Sequence, residues 1–407
     1  MQIFLDRWRQ GTITAAFLSI ALLGIGRVEF FSTDVSMSAW SISRTTFFFW
    51  LTLKLFVLLR SGWASTGLSE LRLLKPLWLF FLAVTLSLLP DFHQAGDYRY
   101  FFFACAHAVM LVDLFSAASP RRWLPLLLGI LPVVLVVRGL SHEPSILDFS
   151  LSQRFGYPLD HPNTAGYLFG MSIPLGIFVA TARAGWWRGL SVISCASQAL
   201  GLILTFSRGA WLGWAAAMLY LALTAREWKY LAALMTLALA CVLAVPSIQD
   251  RLASITRPDE DPAMRERLQR LTSSLQLGVD HPILGVGYGR GRLKESLRLY
   301  LKGTILEDSP VLHTHNVYVE LFAETGLLGL FAFLWLLGHT LLRLWRTSFS
   351  RDGPERLLGI GLTASWIAAI VTGIGDVPFY HHETRIWFFT LFALAHMYVC
   401  GAIVKAP

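Results

Sequence analysis

HNVYVELFAETGLLGLFAFLWLLGHTLL, residues 315–342, has two carboxylates in its first ten positions and then no Asp, Glu, Lys or Arg before Arg343. About 20 apolar residues cross the hydrocarbon of a bilayer, so the stretch predicts a transmembrane helix with a polar entrance. Similar runs recur along the chain, giving spans near 12–31, 37–59, 76–90, 99–118, 123–140, 163–182, 189–206, 209–225, 229–246, 316–342, 356–375 and 386–404. With 55% hydrophobic and 15% charged residues, there is too little polar side-chain surface to cover a soluble globule. The runs are continuous and do not alternate in short segments, so a closed barrel is excluded. The fold expected is an all-α polytopic membrane protein of about twelve helices. Nine spans fall in 1–246, a helical outer loop in 247–315 and three spans in 316–407.

Basic residues orient the chain. Arg7 and Arg9, Arg72 and Lys75, Arg121 and Arg122, Arg183 and Arg188, Arg226 and Lys229, and Arg343, Arg346, Arg351 and Arg356 fall in alternate short loops. The positive-inside rule makes that side cytoplasmic and puts both termini there. The net charge of +8 is therefore an orientation signal, and nucleic acid is not an expected partner. The four cysteines lie in apolar stretches without metal-ligand spacing. The first apolar run lacks a small-residue cleavage site, so no cleavable signal peptide is expected. Of the 11 histidines, His93, His142, His161, His281, His313, His315, His381 and His382 fall on the outer side, which marks it as the working face.

In the outer loop, Asp261 and Pro262 read as a helix start, with the helix running to about Val279. Met264, Leu268, Leu271 and Leu275 form an apolar stripe along it, so the helix packs on the membrane domain or lies in the interface. Arg267 flanks the stripe most closely, Arg265 flanks it on the other side and Arg270 points away. An arginine in such a place either grips a ligand or snorkels to the interface. The run Asp259, Glu260, Asp261 reads as a solvated turn rather than a metal site. Next, DHPILGVGYGRG (280–291) has glycines at 285, 287, 289 and 291, a flexible turn able to bring backbone N–H groups to an anion. It follows no strand, so the nucleotide-binding readings lack context.

At the start of the 316–342 span, His313, His315, Asn316, Glu320 and Glu324 crowd together. Asn316, Glu320 and Glu324 share a helix face that must look into the bundle or a wet cavity. Gly326 and Gly329 would let a neighbouring helix approach. Arg208, in FSRGAW, sits where two apolar spans meet, a costly place for an idle arginine.

FSRGAW, the arginine-bearing helix running into DHPILGVGYG, and HNVYVELFAETGLLGL resemble the O-antigen ligase and polymerase family. RFGYPLDHPNTAGYLF (154–169), which holds Arg154 and His161, resembles that family's loop-to-span transition. The most specific element is His315–Asn316, nine residues, then Gly326-x-x-Gly329. The resemblance implies a fold of the glycosyltransferase class C type in the bacterial inner membrane. It also implies a donor glycan on undecaprenyl pyrophosphate and an active site facing the periplasm. By the same resemblance His315 is the essential histidine, and Arg208 and an arginine in 265–267 contact the donor pyrophosphate. His313, Asn316, Glu320, Arg154 and His161 are supporting residues. Relatives often carry tryptophan where Leu271 stands, which leaves Arg265 and Arg267 both open, and the helix face favours Arg267.

The expected chemistry is displacement at an anomeric carbon. Arginines hold the diphosphate bidentately, with no metal or cofactor, and His315 acts as general base or as a donor to the diphosphate. Ligation of O-antigen to lipid A-core is favoured over polymerisation and over transfer to protein, because the chain ends soon after its last span and the loop is helix-rich. The alternative of another class is a transporter or flippase for a lipid-linked sugar, for which Lys54, Asp113 and Arg27, in or near spans, are the signals.

Overall fold

A computed structural model of the 407-residue chain describes residues 28–29, 36–37, 46–55, 59, 74–89, 97–117, 128, 130–148, 153–159, 161–182, 185–224, 232, 235–236, 239–240, 242–256, 262–307 and 313–401. In chain order the helices are α1 (Thr46–Leu55), α2 (Lys75–Leu86), α3 (Tyr98–Ala117), α4 (Leu131–His142), α5 (Pro162–Ala182), α6 (Trp186–Leu204), α7 (Arg208–Thr224), α8 (Pro246–Thr256), α9 (Pro262–Asp280), α10 (Arg290–Tyr300), α11 (Val317–Phe349), α12 (Gly353–Gly375) and α13 (His382–Val399). Val28–Glu29 pairs with Ser36–Met37 in a two-residue antiparallel bridge.

The architecture is helical, as expected. Helices α6, α11 and α12 are long and apolar enough to cross a membrane. Helices α2 and α4 have 12 residues each, short of the roughly 20 a straight crossing needs. Most of the span expected at 12–31, part of that at 229–246, and the 259–261 acidic run lie outside the described residues.

Helix α12 packs on α5, α7 and α11, and α13 closes on α3. At the outer end of this bundle α7 and α12 come within backbone contact, since a Cβ added to Gly209 would lie 3.5 Å from the Gly375 Cα. That approach brings Arg208, the first residue of α7, beside the residues that follow α12. Lys54 and Asp113 form an ion pair of 2.7 Å that ties α1 to α3, and Trp50 Nε1 donates to the same carboxylate at 2.7 Å. Two of the three charges that favoured a transporter are thus satisfied by each other, and the third, Arg27, lies outside the described residues.

The outer loop builds a small core of its own. Leu277, Leu293, Leu297, Leu301 and Leu306 close over Ala323 of α11. Its glycine-rich turn lies along the first turns of α11. Val286 N–H donates to the Ala323 carbonyl at 3.0 Å, Gly287 N–H to the Glu324 carbonyl at 2.8 Å, and Leu327 N–H to the Pro282 carbonyl at 2.8 Å. Gly326 breaks the helix there with φ of 64°. Its kink frees the backbone groups that the turn takes up. The close approach at Gly326 is therefore made by the loop, where a helix was expected.

A Cβ on Gly326 would lie 2.2 Å from the Ile283 carbonyl oxygen, and one on Gly285 2.3 Å from the Glu324 carbonyl carbon. Both glycines also have positive φ, a conformation costing other residues on the order of 1–2 kcal/mol. Gly326→Ala is therefore expected to lower the thermal midpoint in detergent by several degrees, and the exposed Gly291→Ala to leave it unchanged. Equal midpoints for the two variants would contradict this docking.

Candidate active site

Helix α11 starts at an N-cap. The Asn316 side chain accepts from Tyr318 N–H at 3.0 Å and Val319 N–H at 3.1 Å, and its amide donates to the Ile374 carbonyl at 3.0 Å. Asn316 thus caps one helix and pins it to the end of another, a structural task. Glu320 reaches back to accept from Thr314 N–H at 2.8 Å. Glu324 takes Gly289 N–H at 3.2 Å and the Tyr380 hydroxyl. Both carboxylates are fully buried, so they look into the bundle and not into the cleft. The acceptor that the glycine-rich turn meets is the protein's own Glu324, through its backbone carbonyl and its carboxyl group.

Between Thr314 and Asn316, His315 takes φ of 53°. A non-glycine residue in that region costs on the order of 1–3 kcal/mol and persists only where its surroundings hold it. Here they do. Nδ1 lies 3.1 Å from Asp376 Oδ1, and Nε2 lies 3.4 Å from Arg270 Nη1. With Nδ1–H donated to the carboxylate, the Nε2 lone pair faces the Arg270 guanidinium.

Asp376 directly follows α12, and sequence reasoning missed it. Its Oδ1 also accepts from Val377 N–H at 2.8 Å, and its Oδ2 accepts from Asn163 Nδ2 at 2.5 Å. Asn163 Oδ1 in turn accepts from Arg154 Nη2 at 2.8 Å, and Arg154 Nε donates to the Thr205 carbonyl at 2.7 Å. Burial alone would raise the Asp376 carboxyl, but the hydrogen bond and charge of His315, joined by Arg267, hold it well below the usual carboxylate range. The available signal was an acid placed directly after an apolar span, in a short turn that also holds Glu383.

His315 borders an open cleft with about 870 Å³ of empty space. Arg208 and Arg267 line it beside His315, while Leu212, Met264, Leu268 and Leu271 make an apolar wall. Burial first, and then the charge of Arg267, with Arg208 contributing, lowers the Arg154 guanidinium, so the region is short of negative charge.

The helical stripe was expected to pack on the membrane domain or to lie in the interface, and three of its residues, Met264, Leu268 and Leu271, line the cleft. Leu268 and Leu275 remain 42% and 40% exposed, while the face of α9 that packs consists of Arg270, Ser274, Leu277 and Gly278. Arg270 does point away from the stripe, but this direction leads into the protein, where Glu266 holds it at 3.0 Å beside His315. The expectation that Arg270 is a bystander is corrected accordingly. Arg265 is exposed and does not line the cleft.

The other expected residues are more peripheral. His161 is exposed, and its Nδ1 accepts from Asn163 N–H at 3.1 Å at the start of α5. His313 stacks near His315 with ring centroids 4.1 Å apart, and burial, then the His315 charge, pushes its imidazole down to about 3. His313, His315 and Asp376 offer three ligand atoms within 4.8 Å of one another. The chemistry of this set disfavours a dication. Asp376 is already engaged by three protein donors, and the Arg270 guanidinium stands at the other nitrogen of His315.

No curated protein matches the chain. Residues 192–334 match the family model described as O-antigen ligase, a family that covers O-antigen ligases and related polymerases. The match takes in Arg208, α9, the glycine-rich turn and His315. Through the segment that carries most of its cleft, about a third of its length, the chain is similar to the O-antigen ligase family.

Proposed function

We propose that the protein is a membrane glycosyltransferase that moves O-antigen from undecaprenyl pyrophosphate to a sugar hydroxyl of lipid A-core. It would act at the periplasmic face of the bacterial inner membrane, with both termini in the cytoplasm. One observation carries the reading: Arg208, Arg267 and the His315 imidazole share a cleft with the apolar side chains of Leu212, Met264, Leu268 and Leu271. An amphiphile with an anionic head fits such a cleft, its head on the guanidiniums and its chain along Leu268 and Leu271. About twelve spans, with 247–315 as the outer loop, remain the proposed topology.

In the reaction the acceptor oxygen forms a bond to the anomeric carbon as the bond from that carbon to the phosphate oxygen breaks. The acceptor proton passes to His315 Nε2. Asp376 fixes the ring and stabilises the imidazolium that forms. The pyrophosphate leaves on the lipid carrier, and Arg208 and Arg267 balance its growing charge through paired N–H donors. Arg270 holds Nε2 in the resting state through a long contact, which the acceptor hydroxyl displaces. Neither nucleotide nor metal has a role in this scheme.

Reconstituted protein supplied with a lipid-linked glycan and lipid A-core is expected to yield a covalent glycan–lipid A-core product without nucleotide. Longer glycans still on the carrier would make the protein a polymerase, and no covalent product would overturn the enzyme reading.

His315→Ala is expected to cut turnover by about 10²–10⁴-fold with insertion intact. Asp376→Asn should lower kcat with KM little changed, and His313→Ala should be milder than either. Normal turnover in His315→Ala would remove the base.

Lysine keeps the charge of arginine but loses the fork. Turnover is therefore expected to fall steeply in Arg208→Lys and Arg267→Lys, clearly in Arg270→Lys, and little in the exposed Arg265→Lys. Full activity in the first two would move the diphosphate elsewhere.

Activity is also expected to survive EDTA. A loss restored by magnesium or manganese would instead make His313, His315 and Asp376 a metal site.

A further inference from the structure

At the opposite end of α11 a second recess, with about 300 Å³ of empty space, opens between α2, α11 and α13. His339, Thr340 and Arg343 of α11 and His396 of α13 supply its polar lining, and Phe392 and Val399 part of its apolar lining. No acidic residue lines it. Among the described residues, no hydrogen bond or ion pair occupies the Arg343 guanidinium, and its charge reaches both imidazoles.

Depth indicates what this recess meets. Arg343 lies nineteen positions along α11 from Glu324 with no other Asp, Glu, Lys or Arg between them, about 28 Å at the helical rise. This is close to the roughly 30 Å thickness of the hydrocarbon layer. Arg343 therefore stands at the headgroup level of the leaflet opposite the cleft. Trp78 and Trp345, 40% and 48% exposed, mark the same boundary, and the exposed Lys75 stands next to Pro76 at the rim.

We propose that this recess binds the phosphate of an anionic phospholipid of that leaflet. Arg343 would supply the charge and bidentate donors, the two imidazoles further hydrogen bonds, and Phe392 and Val399 a seat for the glycerol and first acyl carbons. A free phosphate shares the headgroup's anion chemistry but has no use for the apolar side of the recess.

The test is native mass spectrometry of the full chain titrated with phosphatidylglycerol, with phosphatidylcholine as the zwitterionic reference and inorganic phosphate as competitor. The wild type is expected to retain one phosphatidylglycerol in preference to phosphatidylcholine. Arg343→Gln should weaken that binding about fivefold or more, Arg343→Lys should recover part of it, and Arg346→Gln, exposed and outside the recess, should leave it unchanged. His396→Asn, which keeps the arginine, should weaken binding by a smaller factor, and it serves if Arg343→Gln fails to fold. Equal losses in Arg343→Gln and Arg346→Gln would reduce the effect to diffuse surface charge and overturn the site. Binding of inorganic phosphate without retention of phosphatidylglycerol would overturn the lipid assignment.

Discussion

The buried carboxylate of Asp376 is the point on which the outer end of the bundle depends. It orients His315 from α11, receives Asn163 from α5, and through His315 reaches Arg270 on α9. A carboxylate taken out of water is costly unless it is paired and hydrogen-bonded. Here that requirement brings three helices and the end of a fourth to one place. The left-handed backbone at His315 is held within this frame, and the ring is fixed with Nε2 toward the Arg270 guanidinium.

The second constraint is the seam between the outer loop and α11. The helix breaks at Gly326, and the exposed carbonyls and N–H groups at the break are taken by the 282–287 turn. Because α9 runs directly into that turn, the seam sets the rotation of α9 about its axis. That rotation puts Arg267 in the cleft and Arg270 against His315 while leaving Arg265 outside. Glycines at 285 and 326 serve this backbone contact, and the turn's N–H groups are accepted by Glu324.

Much of this was legible in advance. The apolar runs anticipate a helical chain, in which α6, α11 and α12 among the described helices are long and apolar enough to cross a membrane. The grouping of His315 with Arg208 and a loop arginine is what the family resemblance implies. The phase of α9 was read correctly as an angle but wrongly as an environment. In a soluble protein an apolar stripe identifies the packed face, whereas beside a membrane a lipid-lined cleft accepts apolar side chains as readily as a core does. The stripe therefore faced the cleft, and the buried face was the one carrying Arg270 and Ser274. Asp376 went unseen because an acid in a short turn has no periodicity, and its significance arises only when the ends of α5, α11 and α12 meet. Lys54 and Asp113, 59 positions apart, likewise could not be recognised as a pair from spacing.

Arg208, Arg267 and His315 stand or fall together as a diphosphate site. The most direct measurement is a cryo-EM structure of the protein with undecaprenyl pyrophosphate bound in nanodiscs. The account predicts diphosphate density within hydrogen-bonding distance of both guanidiniums, its terminal phosphate close to His315 Nε2 and the lipid chain along Leu268 and Leu271. Diphosphate density elsewhere, with the cleft filled only by acyl chains, would contradict it.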